Sequence, residues 1–296
     1  MNEDRIFRAK TAAVIAVSLF IVFFCPSPSP ANPPKFSFKL GAGGDYLSGG
    51  DLNAGMRGMS AFQLDNGADK NGLFKELHLG AGSGIEILME ISPRLEVAFG
   101  VSYLYAARES STSYIWNSVT FRETVRPRLE VVPVTLGFSY KLAQSSGFDL
   151  YLDAGAGLYK SRMAWKFDLE RAFDSFPSRQ NGEWKASKNA LGFQGGLRLE
   201  KSVSPFAAVY IEAFGRCARF RDIRGKYKVR IFQGADYREE QGRSTLWAAE
   251  YRAGDESYPW IVFSDSKPTA LYYADTNEAR VDVSGVSLRT GIRVRF

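Results

Sequence analysis

The clearest regularity along this chain is alternation. In LEVAFGVSYLY, Leu95, Val97, Phe99, Val101, Tyr103 and Tyr105 share one face of an extended strand, while Glu96, Ala98, Gly100 and Ser102 share the other. VPVTLGFSYKL repeats the pattern, with Val132, Val134, Leu136, Phe138, Tyr140 and Leu142 opposite Pro133, Thr135, Gly137, Ser139 and Lys141. The closing GVSLRTGIRVRF does so again, with Val286, Leu288, Ile292, Val294 and Phe296 opposite Ser287, Arg289, Gly291, Arg293 and Arg295. A period of two marks β-strands, and no helical period dominates beyond the first thirty or so residues. Eight such segments are predicted, at about 36–46, 77–90, 95–107, 129–142, 149–164, 187–201, 206–219 and 281–296. The fifth slips phase near Leu158 and Tyr159, which reads as a bulge or as the strand leaving a membrane.

The connections carry a second signal. Three are short: Ser92–Arg94, Ala143–Phe148 and Ser202–Pro205. They alternate with long ones through 47–76, 108–128, 165–186 and 220–280, rich in glycine, serine and charge. A soluble sandwich has no reason to gather every long loop at one end. A bacterial outer-membrane barrel does, with short turns on one side, long loops on the other and an even strand number. The expectation is therefore an all-β fold: an eight-stranded antiparallel transmembrane β-barrel with long extracellular loops, occupying residues 32–296 as one domain. Its last loop, about 220–280, is the longest. Closure would remove the unpaired edges that such apolar strands otherwise present.

Side-chain size indicates which face looks where. The face opposite the large apolar residues carries Gly41, Gly43, Gly80, Gly82, Gly84, Gly100, Gly137, Gly155, Gly157, Gly192, Gly196 and Gly291. Glycine weakens a strand, so a cramped interior explains these better than a water-facing surface. The same face carries Glu86, Glu90, Glu96, Asp149, Asp153, Glu200 and Glu212, opposed by Lys39, Lys141, Arg198, Arg216, Arg289, Arg293 and Arg295. Isolated charges in a narrow interior are costly, so a paired lumen network is expected, centred on Glu86, Asp153, Arg198, Glu212, Arg216, Arg289 and Arg293. Such a network either fills an occluded interior or lines a narrow polar conduit, and its near-balance of sign disfavours strong ion selectivity.

The N-terminus adds export to this picture. Arg5, Arg8 and Lys10 precede the apolar run Thr11–Phe24, and CPSPSPANPP follows with Ser29-Pro30-Ala31 as a small-x-small site. That is the layout of a cleaved signal peptide over residues 1–31. Cys25 follows Val22, Phe23 and Phe24, too bulky for a lipoprotein cleavage motif, and Cys217 would then be the sole mature cysteine. The mean hydropathy of −0.20 argues against a polytopic helical membrane protein. With 38 basic and 32 acidic residues the net charge is +6, and removing 1–31 takes away three bases and two acids to leave +5. No nucleic-acid motif accompanies that charge, so an anionic envelope surface is the expected counterpart. One histidine and one mature cysteine leave no basis for a metal site, and no cofactor is implied.

Four stretches invite chemistry. GAGG at 41–44, GAGSG at 80–84 and GAG at 155–157 resemble phosphate loops, but they sit inside alternating segments and no helix is expected after them. His78, near the outer start of the second strand with Ser83 and Asp45 in its neighbourhood, is the sole candidate base for an enzyme acting on outer-leaflet lipid, and a rim histidine is more simply structural. RCARFRDIRGKYKVR, Arg216–Arg230, offers Arg219, Arg221, Arg224 and Lys226 at the outer exit of the seventh strand, either as a solvated loop base or as a contact to lipopolysaccharide phosphates. The last loop holds Trp247, Tyr251, Tyr258, Trp260, Tyr272 and Tyr273; its stretches STLWAAEY, PWIVFSD and TALYYAD look strand-like and would continue strands seven and eight.

FSFKLGAGGDYL, VPVTLGFSYKL, ALGFQGGLRLE and the terminal TGIRVRF together resemble the small outer-membrane barrels of the OmpA, OmpX and OmpW-like group, over essentially the whole mature chain. The resemblance implies an assembly signal at Arg289, Gly291, Val294 and Phe296, read by the barrel-assembly machinery. It also implies a monomer in the outer membrane of a Gram-negative bacterium, in contact with lipid and lipopolysaccharide. The expected role is structural or interactive rather than enzymatic, through loops that touch lipopolysaccharide or external ligands. The alternative is a narrow passive channel for small or apolar solutes, as in OmpW-like barrels, and the third reading is a lipid-modifying enzyme.

Overall fold

The computed structural model describes residues 35–69, 72–117, 119–172, 177–269 and 271–296. The expected signal segment lies outside them. Eight strands pair in a closed antiparallel ring: β1 (Phe36–Leu47), β2 (Leu79–Ser92), β3 (Leu95–Ala107), β5 (Val119–Ser145), β6 (Phe148–Ala172), β7 (Pro177–Ser202), β8 (Ala207–Phe220) and β14 (Gly285–Arg295). Each joins the next in that order, and β14 returns to β1 with Leu40 opposite Ile292. At one end the connections are tight. The β5–β6 link is the two-residue turn Ser146-Gly147, both at positive φ (45° and 83°), which is the hairpin turn whose twist matches its strands.

Three ring strands run far beyond their expected limits. Residues 119–128, 165–172 and 177–186, read from the sequence as loop, are strand in β5, β6 and β7. The expected bulge at Leu158-Tyr159 is absent: β6 and β7 pair without a register shift from Phe148–Lys201 to Ala172–Pro177. What changes there is polarity, not phase. Below this level the outward positions Phe148, Leu152 and Leu158 are apolar and exposed. Above it they become Lys160, Arg162 and Lys166, while Tyr159, Met163 and Trp165 turn inward and are buried. A strand that trades an apolar exterior for a polar one mimics a one-residue slip in the sequence, because slip and inversion exchange the same sets of side chains.

The long strands support an outer sheet. β4 (Ser110–Trp116) pairs with the start of β5. β9 (Arg224–Gln233) takes over β7 where β8 leaves it, then β10 (Asp236–Ala253) pairs with β9, and β11 (Glu256–Ser264) and β12 (Tyr273–Glu278) pair with β10. A two-residue bridge, β13 (Val281–Asp282), rejoins β8. Of the strand-like stretches of the last loop, STLWAAEY lies in β10, PWIVFSD is strand up to Ser264 and TALYYAD only from Tyr273, and they extend the sheet from β7 rather than continuing β8, which ends at Phe220.

The sequence pattern did not lead to a helix, yet α1 (Asp51–Asp65) follows β1 and fills the space enclosed by this outer sheet. Its first turn is tied down by the Arg280 amide, which donates to the Asp51 carboxylate at 2.8 Å. Leu52, Met56, Met59 and Phe62, spaced four, three and three apart, form its buried face. Gly55 and Gly58 let the helix lie directly on β11, since a Cβ on Gly58 would strike the Pro259 carbonyl. Phe62 is the hub, with the rings of Tyr114, Trp116, Tyr251, Tyr258 and Trp260 edge-on to it at 5.4 to 6.0 Å. Beneath α1, Leu104, Leu129, Val131, Tyr159, Phe220 and Ile223 complete an apolar core.

Candidate functional site

The lower interior of the ring is polar and nearly closed. Arg198, fully buried, places Nε 3.0 Å from Asp153 and Nη2 3.6 Å from Glu96, and also pairs with Glu200. Arg293 spans Glu96 at 2.6 Å and Glu200 at 3.2 Å, and Arg295 reaches Glu200 at 3.2 Å. Lys39 holds Glu86 at 2.8 Å and Glu212 at 2.6 Å. Shared carboxylates offset the desolvation that isolated buried ions would suffer. A cavity of about 40 Å³ lies among them, lined by Lys39, Glu86, Asp153 and Glu212.

Two members of the expected network behave differently. Arg216 pairs with Asp45 at 3.2 Å, an acid not counted among the lumen charges, and Ser287 also donates to Asp45. Arg289 forms no ion pair among the described residues. Its guanidinium lies 4.7 Å over the Phe214 ring and donates to Ser102 Oγ at 3.3 Å. Gly82 and Gly84 provide the room, because a Cβ at either would stand 3.1 to 3.3 Å from its nitrogens.

The outward face of the ring is an apolar belt that runs across all eight strands. Leu40, Ile85, Phe99, Leu136, Leu152, Leu197, Ile211 and Leu288, one from each strand, are all exposed. Rings mark its two margins: Phe36, Phe148, Phe206 and Phe296 at the turn end, Tyr46, Tyr103 and Tyr105 at the other. From Phe148 to Leu158 the strand rises ~33 Å, or ~25 Å when tilted by about 40°, which is the height of an outer-membrane apolar band. Thr290 breaks the apolar pattern but satisfies its hydroxyl on the Tyr210 carbonyl at 3.0 Å. Gly195 also faces outward.

The expected assembly residues all lie on or at the end of β14. Arg289 and Gly291 point inward, Gly291 so close to the Leu40 carbonyl that no Cβ would fit. Val294 faces outward, and Phe296 meets Phe38 edge-on at 5.6 Å while its amide donates to the Phe36 carbonyl at 3.0 Å.

The four basic residues proposed for lipopolysaccharide are divided. Arg219 is held by Asp282 at 2.9 Å and Arg221 is exposed in the β8–β9 connection. Arg224 and Lys226, on β9, line a groove of about 1450 Å³ on the outward face of the outer sheet. Arg108, Arg126, Arg128, Arg162, Lys185 and Arg243 line it too. Apart from Arg162, which lies in the fifth expected strand, these belong to segments assigned from the sequence to loops. Continuing the alternation through KSRMAWKFDLE would have found Arg162 and Lys166 on one face and Met163 and Trp165 on the other.

His78 does not converge with its suggested partners. Its ring stacks on Tyr46 at 5.1 Å, with Nε2 2.6 Å from Glu76 and Nδ1 2.8 Å from the Leu47 carbonyl. Ser83 faces outward from β2, whereas Asp45 is buried inside the ring. A helix does follow GAGG, contrary to expectation, but Gly41 and Gly43 face Tyr210 and the β14 backbone inside β1, away from its N-terminus.

In the outer core, Glu123 on β5 faces α1, and burial pushes its carboxyl up to about 7 despite a hydrogen bond from Gln63 Nε2 at 3.3 Å. Tyr258 donates to Asp65 at 2.6 Å, which with its burial pushes the phenol up to about 12.

No family model matches this chain, and no curated protein matches it. Among solved structures, a major outer membrane protein from Thermus thermophilus is similar over 90% of this chain and 100% of its own, at 15% identity and a TM-score of 0.42. The Escherichia coli outer membrane protease OmpT is similar over 89% and 96%, at 8% identity and 0.28. The translocator domain of the Neisseria meningitidis autotransporter NalP is similar over 97% and 98%, at 11% identity and 0.18. Likenesses this loose fix neither strand number nor activity.

Proposed function

We propose that this chain is an occluded eight-stranded barrel of a bacterial outer membrane, whose outer sheet serves a structural or surface-interaction role. The observation that supports this reading is the pairing of an all-round apolar belt with an interior closed twice. Lipid-spanning strands must satisfy every backbone group among themselves, which a closed ring does. Within it, the ion pairs around Arg198 and Lys39 fill the lumen around a cavity of about 40 Å³, and above them α1 sits on an apolar core anchored by Met56. A hydrated path would have to break both layers. Such an interior favours a plug over a passive channel.

Refolded protein in a planar bilayer tests this. No reproducible opening is expected, together with heat-modifiable gel mobility and strand-dominated circular dichroism. Stable conductance steps would replace the occluded reading with the conduit. Contact with lipopolysaccharide is the proposed role of the outer basic side chains. Replacing Arg219, Arg221 and Lys226 with Glu should lower the lipopolysaccharide that co-purifies, and unchanged content would remove that role from these three.

A further inference from the structure

The groove on the outward face has an order that its composition hides. Strand register sets Arg128 opposite Ala164, Ala164 opposite Lys185, Lys185 opposite Lys226, and Lys226 opposite Arg243. One straight row across β5, β6, β7, β9 and β10 therefore carries four cations and a single small gap at Ala164. With strands ~4.8 Å apart, the row is ~19 Å long. Lys185, Lys226 and Arg243 are consecutive like charges in direct cross-strand opposition, an arrangement that destabilises a sheet unless something anionic lies across it.

The protein's own acids do not supply that anion. The groove is lined by ten basic and five acidic side chains, leaving it +5. Glu130 is taken by Arg128, and Glu183 is shared by Lys185 and Lys166. Arg162, Lys226 and Arg243 have no ion-pair partner among the described residues. Three free cations thus face the same groove, two of them guanidinium forks suited to phosphate.

Height narrows the ligand. Ala164 lies six residues beyond Leu158, the last exposed apolar residue of the belt on β6. That is ~20 Å along the strand, or ~15 Å above the belt at a tilt of about 40°. A phospholipid headgroup layer is only about 5–7 Å deep, so its phosphate stays below the row.

Resting on the outer-membrane reading above, we infer that this row is a binding site for the phosphorylated saccharide headgroup of an outer-leaflet glycolipid. Its anionic groups lie across the strands, gripped by Lys226 and Arg243 with Arg162 beneath. The site shares Arg224 and Lys226 with the loop-base contact, whereas Arg219 and Arg221 lie outside the groove.

The test uses full-length mature protein refolded in detergent. Tryptophan fluorescence and co-migration would read binding of purified lipopolysaccharide, the same material after chemical removal of its phosphates, and inorganic hexametaphosphate. Wild type should bind the intact glycolipid, and Lys226→Glu/Arg243→Glu should bind it at least tenfold more weakly. The milder pair Lys226→Gln/Arg243→Gln should fall between, and Arg238→Glu, outside the groove, should match wild type. Dephosphorylated material should bind wild type as weakly as intact material binds the charge-reversed pair. Equal binding by wild type and both double variants would overturn the site. Hexametaphosphate binding as tight as the glycolipid's would overturn the lipid source in favour of a free polyanion. Heat-modifiable mobility and partition into vesicles, measured on the same samples, isolate this failure from failure of the membrane reading, in which wild type itself would not partition.

Discussion

Arg198→Met addresses the layer that closes the ring. Arg198 is fully buried, and methionine keeps much of its length while removing every donor. Its loss falls unequally on three carboxylates. Glu96 keeps Arg293 at 2.6 Å, and Glu200 keeps Arg293 and Arg295, both at 3.2 Å. Asp153 loses its only ion pair among the described residues, Arg198 at 3.0 Å, and keeps the more distant Lys39. Removing one member of a buried pair leaves an uncompensated charge and costs ~3–5 kcal/mol. Because two of the three acids retain partners, the lower half of that range is expected. Arg198→Met/Asp153→Asn removes the orphaned charge and should recover at least half of the loss. Urea unfolding of protein refolded into vesicles, followed by tryptophan fluorescence and gel mobility, measures both. A single variant within ~1 kcal/mol of wild type would refute the idea that this ion cluster holds the ring interior together. So would a double variant no more stable than the single one.

Four further outcomes are expected. Leu288→Arg places a charge on the outward belt and should cost roughly 2–4 kcal/mol if it lies near the bilayer midplane, read by the same unfolding assay; a neutral result would move β14 out of lipid. Phe62→Ala removes the ring that five aromatics surround, and a loss of ~3–5 kcal/mol should undock α1, exposing residues 51–65 to limited proteolysis. Glu123 has a folded pKa of about 7 against an ordinary 4.5, so its contribution to α1 docking is complete below the unfolded pKa and fades as pH rises through about 7. Proteolytic protection of α1 should therefore fall between pH 5 and pH 8 in wild type and stay level in Glu123→Gln. Gly58→Leu should prevent α1 from lying on β11, because its side chain would enter the Pro259 backbone, and hydrogen exchange in α1 should rise towards that of Phe62→Ala.

The alternation in Leu95–Tyr105, Val132–Leu142 and Val286–Phe296 was enough to name the ring strands, because a period of two reports a strand whichever medium each face meets. The same pattern made the glycine-lined, charged face the interior, and there Arg198, Arg293 and Lys39 find Glu96, Glu200, Glu86 and Glu212. Partners, however, are a matter of closure. Asp45 and Arg216 are 171 residues apart and meet only because β1, β14 and β8 adjoin. The upper half of the molecule was illegible for a physical reason. Beyond Leu158 inside and outside exchange chemistry, so an inward-facing Tyr159 looked like a slipped strand and the charged exteriors of β5, β6 and β7 looked like loops. Helix α1 was hidden by glycines at 55 and 58 that lower helix propensity, yet its contact with β11 requires them. The basic row is the furthest from sequence. Arg128, Lys185, Lys226 and Arg243 come from four separate segments, and only the pairing of β5, β6, β7, β9 and β10 draws them into line.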